Sequence, residues 1–280
     1  MKLGYSTWGM PKVPVDEALA HLAGLGFDGV ELTVIPGYTT ELSKLDAVER
    51  SRIRQLLQKH HLILPAIAAH SSLLSNDKET HAANMARLKG AVDLAVEWAQ
   101  GDIIPAIDTT PGGKPAEWDA VRDLLVERTR ELVEYAQARN VTIAMEPHVG
   151  AVIDTPEKVL QLLALVDSPY LKVNFDISHF NIQGLAIEET VAALAPHTVH
   201  THVKDERGLV PDFEFLIPGE GDFDYVTYLK AMQAHGYDGF ISVEVSVMVQ
   251  RRPDYDPLAA ATLSYETLSR AFIEAGIPRK

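Results

Sequence analysis

The chain has 280 residues, 46% apolar and 23% charged, and its 25 basic against 39 acidic side chains leave a net charge of −14. That balance opposes a nucleic-acid surface, because phosphate binding needs clustered basic residues. The absence of cysteine excludes a disulfide scaffold, a thiolate zinc site, an iron–sulfur cluster and a cysteine nucleophile.

No run approaches about 18 uninterrupted apolar residues, so no membrane span is expected. Met1-Lys2-Leu3-Gly4-Tyr5 leads directly into a strand pattern without a signal-peptide core, and the expected location is the cytoplasm. The first predicted strand covers Leu3–Thr7 and is followed by an amphipathic stretch at Val15–Leu25. Gly29–Val34 then precedes Asp46–His60, Leu62–Ala69 precedes Glu79–Ala99, and Asp102–Ile107 precedes Glu117–Arg139. The second half repeats the alternation. Val141–Glu146 pairs with Pro156–Leu165, Leu171–Asp176 with Ile187–Leu194, Thr198–Lys204 with Tyr225–His235, and Phe240–Val245 with Pro257–Glu274.

Eight strand–helix units of about 35 residues match the spacing of a (β/α)8 TIM barrel. A doubly wound open sheet is the rival, but Ser6-Thr7-Trp8-Gly9 lacks the Gly-rich phosphate turn of that fold. No Pro/Gly/Ser linker or charge block divides residues 1–280. One α/β domain over the whole chain is expected.

Several strands are apolar on one face only. Val141, Ile143 and Met145 alternate with Thr142, Ala144 and Glu146, and Leu171, Val173 and Phe175 with Lys172, Asn174 and Asp176. Val199, Thr201 and Val203 alternate with His200, His202 and Lys204, and Ile241, Val243 and Val245 with Ser242 and Glu244. A parallel strand covered on both faces normally reads as continuously apolar. The polar face must therefore point into the barrel, where desolvation costs several kcal/mol unless the groups are paired or hold an ion.

Glu146, Asp176, His202 and Glu244 stand at the ends of four successive predicted strands, on the catalytic face of such a barrel. Each alone reads as a salt-bridged, capping or core group. All four in phase point to a divalent cation, which relieves carboxylate repulsion in a poorly solvated mouth. Three carboxylates and one imidazole suit Mn²⁺, the first choice, or Mg²⁺ or Co²⁺, with Zn²⁺ retained.

The motifs Ala144-Met145-Glu146-Pro147-His148, Asn174-Phe175-Asp176-Ile177-Ser178-His179 and His200-Thr201-His202-Val203-Lys204-Asp205 occur in that order, followed by Pro218-Gly219-Glu220-Gly221-Asp222 and Ser242-Val243-Glu244. Together with Gly26-Phe27-Asp28-Gly29-Val30-Glu31-Leu32, they resemble the xylose-isomerase-like sugar isomerase/epimerase superfamily, over nearly the whole chain. That superfamily includes ketose 3-epimerases, hydroxypyruvate isomerase, inosose dehydratase and endonuclease IV. The resemblance implies a TIM barrel with one divalent metal held by Glu146, Asp176, His202 and Glu244. It also implies Glu146 and Glu244 as acid/base partners flanking a small-molecule carbohydrate, with His179 on its oxygens. Moving a proton α to a carbonyl requires such a base, and epimerisation a second acid on the other face.

Further substrate contacts are assigned to His148, His70, Lys204 (on a substrate oxygen or a carboxylate ligand), Glu31 (on hydroxyls, or neutralising a neighbour) and Trp8 (an apolar wall, or lid packing). Arg251-Arg252 after the last strand reads as an anion contact or as solvated surface. Asp222 or Asp224 would cap the next helix. The leading reading is a metal-dependent isomerase or epimerase, and the second a metal-dependent dehydratase using the same base. His70 resembles a metal ligand of endonuclease IV, but the position after strand four reads Ile107-Asp108-Thr109 rather than His. A nuclease ranks third and a non-catalytic sugar-binding barrel fourth. Homo-oligomer formation is left open.

Overall fold

The structure is a computed structural model and describes residues 1–279. Eight parallel strands close into a barrel. They are β1 (Lys2–Ser6), β2 (Gly29–Thr33), β3 (Ala66–Ala68), β4 (Ala106–Thr109), β5 (Ile143–Met145), β6 (Leu171–Asp176), β7 (Thr198–Val203) and β10 (Phe240–Val243), the last pairing with β1. Between β7 and β10 lies an antiparallel hairpin of β8 (Asp205–Leu209) and β9 (Asp212–Leu216). Helices α1 (Val15–Leu25), α2 (Ala47–Lys59), α3 (Lys78–Glu97), α4 (Trp118–Gln137), α5 (Pro156–Val166), α7 (Ile187–Leu194), α8 (Tyr225–Ala234) and α10 (Pro257–Ala275) alternate with the barrel strands. Short helices α6 (Ser178–Asn181) and α9 (Val247–Gln250) follow β6 and β10. This is the (β/α)8 barrel that the spacing predicts.

Local chemistry starts the helices where expected. The Asp46, Asp77 and Asp224 carboxylates each accept the backbone N–H three residues on, satisfying a donor that the first helical turn leaves free. Asp224, not Asp222, caps α8.

The alternation read in the strands also holds. Val141, Ile143, Met145, Leu171, Val173 and Phe175 join one apolar core between sheet and helices. Inside the barrel, Ala66, Ala106 and Ala144 form a separate small cluster. Two residues further along their strands, the interior turns polar: Asp108 follows Ala106 and Glu146 follows Ala144, both fully buried. Gly29 on β2 has room for no side chain, because a Cβ there would lie 2.7 Å from the Ile63 carbonyl and against the Phe240 ring.

Two strand predictions shift. The third is shorter than Leu62–Ala69, and the fourth lies at Ala106–Thr109 rather than Asp102–Ile107. Pro65 and Pro105 lack the N–H needed inside a ladder, so each regular strand begins just after its proline. The shift carries Asp108 into the barrel. The sequence pattern assigns no element to the hairpin segment. Among the described residues, no helix is long and apolar enough to cross a membrane.

Candidate active site

The C-terminal strand ends bring Glu146, Asp176, His202 and Glu244 together, one potential ligand atom from each lying within 4.8 Å of the others. All four are buried. Nδ1 of His202 faces Glu146 Oε1 at 2.8 Å and Glu244 Oε1 at 3.7 Å. Its Nε2 faces the other way, 3.0 Å from Glu31 Oε1. Burial opposes a charged His202 imidazole, yet Glu31, Glu244 and Glu146 outweigh it and hold the ring well above its ordinary value.

Lys204 emerges two residues after His202 and places its ammonium between Asp176 and Glu244, the latter at 2.5 Å. Burial pushes the Asp176 carboxyl up, but Lys204 and then His179 bring it down to about 2. The other Asp176 oxygen accepts the Ser178 N–H at 3.0 Å and the Ser178 hydroxyl, at the start of α6. Three buried carboxylates within reach of one cation are compensated here by Lys204 and by the imidazoles of His202 and His148. The donor set is oxygen-rich with one nitrogen, which fits a hard divalent ion.

A cavity of about 530 Å³ opens over this cluster. Trp8, His70, His148, His179, Lys204 and Glu244 line it. Trp8 stacks on Tyr38 with centroids 5.5 Å apart and meets His70 edge-on at 4.8 Å. His148 and His179 stack at 4.0 Å, and His148 Nε2 lies 2.7 Å from Glu146 Oε2. Burial, then the neighbouring His148, holds His179 well below its ordinary value. Both nitrogens of this ring are buried without a hydrogen-bond partner, and Nε2 lies 3.5 Å from Asp176 Oδ2.

Of the two readings of Glu31, the contact with substrate hydroxyls is corrected, and the residue is a counter-charge to its neighbours. It is fully buried and does not line the cavity. Its carboxylate accepts the Ser6 hydroxyl at 2.5 Å and faces His200 and His202 at 3.0 Å each. Its place midway along β2, facing His200 and His202 of β7, sets it below the cavity lining. Glu146 likewise has no exposed surface, and His148 stands between it and the cavity.

Three features escaped the sequence reading. Asp108 lies 3.3 Å from His70 Nε2, with both oxygens lacking hydrogen-bond donors, and burial, then Glu146 and Glu31, pushes its carboxyl well up. Phe213 and Phe215 of the hairpin form a cavity wall. The alternation Asp212-Phe213-Glu214-Phe215 after Val210-Pro211 carried that signal. Glu206 on β8 is the third. Its carboxyl accepts Asn181 Nδ2 at 2.7 Å on one oxygen and no donor on the other, and burial pushes it up to about 8.

A carboxyl raised in this way keeps its proton in the folded chain between the ordinary carboxylate range and about pH 8. Its contribution to stability is fully present below that range and is lost as pH rises through about 8. Glu206→Gln should therefore flatten the fall in stability between pH 5 and pH 9, by on the order of 2–4 kcal/mol. Denaturant melts of both proteins across that range check this, and a variant with the parent's slope contradicts it.

A sequence model of the xylose isomerase-like TIM barrel family matches residues 19–265. The chain belongs to this family. Fructoselysine 3-epimerase of Shigella flexneri is 25% identical over 261 residues, spanning 90% of this chain and 93% of that one. Inosose dehydratase of Salmonella agona is 25% identical over 265 residues, spanning 88% and 84%. Among solved structures, the IOLI protein with a bound zinc atom superposes with a TM-score of 0.77 at 19% identity, covering 98% of both chains. The relatives of this xylose isomerase-like barrel thus include epimerases and dehydratases.

Proposed function

We propose that this chain is a divalent-cation-dependent isomerase or epimerase of a ketose or related keto-polyol, one barrel domain acting by proton transfer α to a carbonyl. One observation carries the reading: Glu244 lines the cavity on one side of a four-ligand cluster while the Glu146–His148 pair faces it from another. The two arise from β10 and β5, which are separated by β7 and β6 around the barrel. Two proton-handling groups on different sides are what inversion at one carbon requires. The epimerase relative supports the same class.

Glu146, Asp176, His202 and Glu244 would hold the cation, Mn²⁺ being the first choice. When bound, the cation polarises the substrate carbonyl and favours the charge of an enediolate. The side chains do the rest. Glu244 removes the α proton, His148 on Glu146 returns one from the other side, and His179 and Lys204 hold substrate oxygens. Glu31 fixes His202 by accepting from Nε2, which leaves Nδ1 turned toward the carboxylates. Glu31→Gln is accordingly expected to weaken Mn²⁺ binding about 10–100-fold with the barrel intact, measured by metal titration. Binding as tight as the parent's would remove that role.

A dehydratase is the second reading, favoured by one contact. An imidazole held at 2.7 Å from a buried carboxylate, and open to the cavity, can deliver a proton to a departing hydroxyl. The dehydratase relative is consistent with it. Proton NMR in D₂O separates the two. Deuterium incorporated α to the carbonyl with every hydroxyl retained supports the isomerase class, and loss of a hydroxyl establishes the lyase. A chain that does neither with ketoses, sugar phosphates and inososes in Mn²⁺ contradicts both.

A further inference from the structure

The polar floor accounts for only part of the cavity. Beyond Glu244, Lys204 and the histidines, the walls are apolar: Val149 on the loop after β5, Phe213 and Phe215 on the hairpin, and Val247 and Met248 on α9. Val247 and Met248 remain 36% and 46% exposed, so this apolar surface faces the mouth rather than the core. The volume of about 530 Å³ lies in the range of about 300–1,000 Å³ that holds drug-sized ligands, larger than a free hexose.

One cation completes that mouth. Arg251 lines the same cavity, is exposed, and has no carboxylate within ion-pair distance among the described residues. Its neighbour Arg252 is committed instead, to Glu220 at 2.7 Å. On the other side, the Gln250 amide donates to the Trp8 and Val245 carbonyls at 2.9 Å each. The segment carrying Arg251 is thus tied down at both flanking residues, and its guanidinium is left over. In a chain of net charge −14, over a floor of carboxylates, a free guanidinium at the mouth is the feature that would admit an anion.

We infer that the substrate is a keto-sugar extended by an apolar spacer that ends in an anionic group, a carboxylate or a phosphate, which Arg251 reads. This deepens the function proposed above and rests on it for the sugar end. The spacer lies along Phe213, Phe215 and Met248, and the anion meets the planar guanidinium fork.

The test compares a 1-O-(5-carboxypentyl) ketose with its methyl ester, and with the analogue ending in phosphate. Each is also reduced to the alditol, which cannot turn over, so that binding is measured by calorimetry independently of reaction. The expected result is tighter binding of an anionic compound than of the ester by about tenfold or more, the scale of a charge-assisted hydrogen bond. Whichever of carboxylate and phosphate binds better identifies the end group. Arg251→Ala should bring the acid-to-ester ratio close to one, and Arg251→Lys should keep part of it. Phe213→Ala should weaken acid and ester alike and leave the ratio in place.

Equal binding of acid and ester by the parent overturns the inference, as does binding of neither or an equal loss of both in Arg251→Ala. The sugar-end reading fails separately. Discrimination between acid and ester without solvent exchange or loss of hydroxyl keeps the anion subsite and sinks the proposed chemistry. Exchange on D-fructose without discrimination does the reverse.

Discussion

At saturating Mn²⁺, Glu146→Gln and Glu244→Gln are each expected to stay folded and metal-bound, yet lose at least ~10²-fold in kcat. Gln keeps an oxygen and nearly the same volume but gives up one negative charge and the basic oxygen. Loss of a general base costs ~10²–10⁴-fold, whereas a carboxylate that only holds the cation acts through affinity, and excess metal offsets that loss. The two positions differ in how the loss arises. Glu244 is on the cavity wall, so its substitution removes the group proposed to take the α proton. Glu146 is covered, so its substitution acts on His148, whose imidazolium loses the partner at 2.7 Å. His148→Asn should then reproduce most of the Glu146→Gln loss, while His179→Ala should mainly raise KM, as expected of a group that orients oxygens. Steady-state kinetics with metal content measured in each sample decide this. If excess Mn²⁺ restores either Gln variant to near parental turnover, that residue is only a ligand.

The barrel and the four-residue cluster were legible for the same reason. A strand that buries one face on helices and the other in a barrel interior must carry its polar residues at every second position, and the period of two writes both into the sequence. Glu146, Asp176, His202 and Glu244 are found by that phase together with their place at the strand ends. What phase does not give is depth. Phase alone leaves Glu31 open to substrate hydroxyls, but it lies midway along β2 and meets the far nitrogen of the His202 imidazole, not the cavity. Proline made the opposite kind of error. Ile103-Ile104 looks like the middle of a strand, while Pro105 excludes ladder hydrogen bonds there, so the strand is displaced and Asp108 moves from loop to interior. The hairpin was lost because β8, Asp205-Glu206-Arg207-Gly208-Leu209, has little apolar alternation of its own. Its partner β9 does, and supplies the two phenylalanines of the cavity wall.

Lys204→Met should give the largest loss of stability, and only in the cation-free protein. Lys204 is buried and its ammonium neutralises Asp176 and Glu244 together, and its attraction to them, Asp176 first, outweighs the burial that would otherwise discharge it. Methionine retains most of the stem volume but leaves two buried carboxylates without the ammonium between them. Breaking a buried ion pair from one side costs ~3–5 kcal/mol, on the order of 10 °C in Tm for a chain of this size. A divalent cation bound to the same carboxylates supplies the missing charge. It is expected to bind the variant more tightly than the parent, because no ammonium competes for Asp176 and Glu244. Stabilisation by a ligand grows with the ratio of its concentration to Kd. The rise in Tm on adding Mn²⁺ should therefore be larger for Lys204→Met than for the parent and should recover most of the initial loss. Thermal melts of both proteins, with chelator and with a Mn²⁺ series, measure this directly. Equal Mn²⁺-induced shifts would mean that Lys204 and the cation do not share these carboxylates, and would leave Lys204 as a contact for substrate oxygens alone.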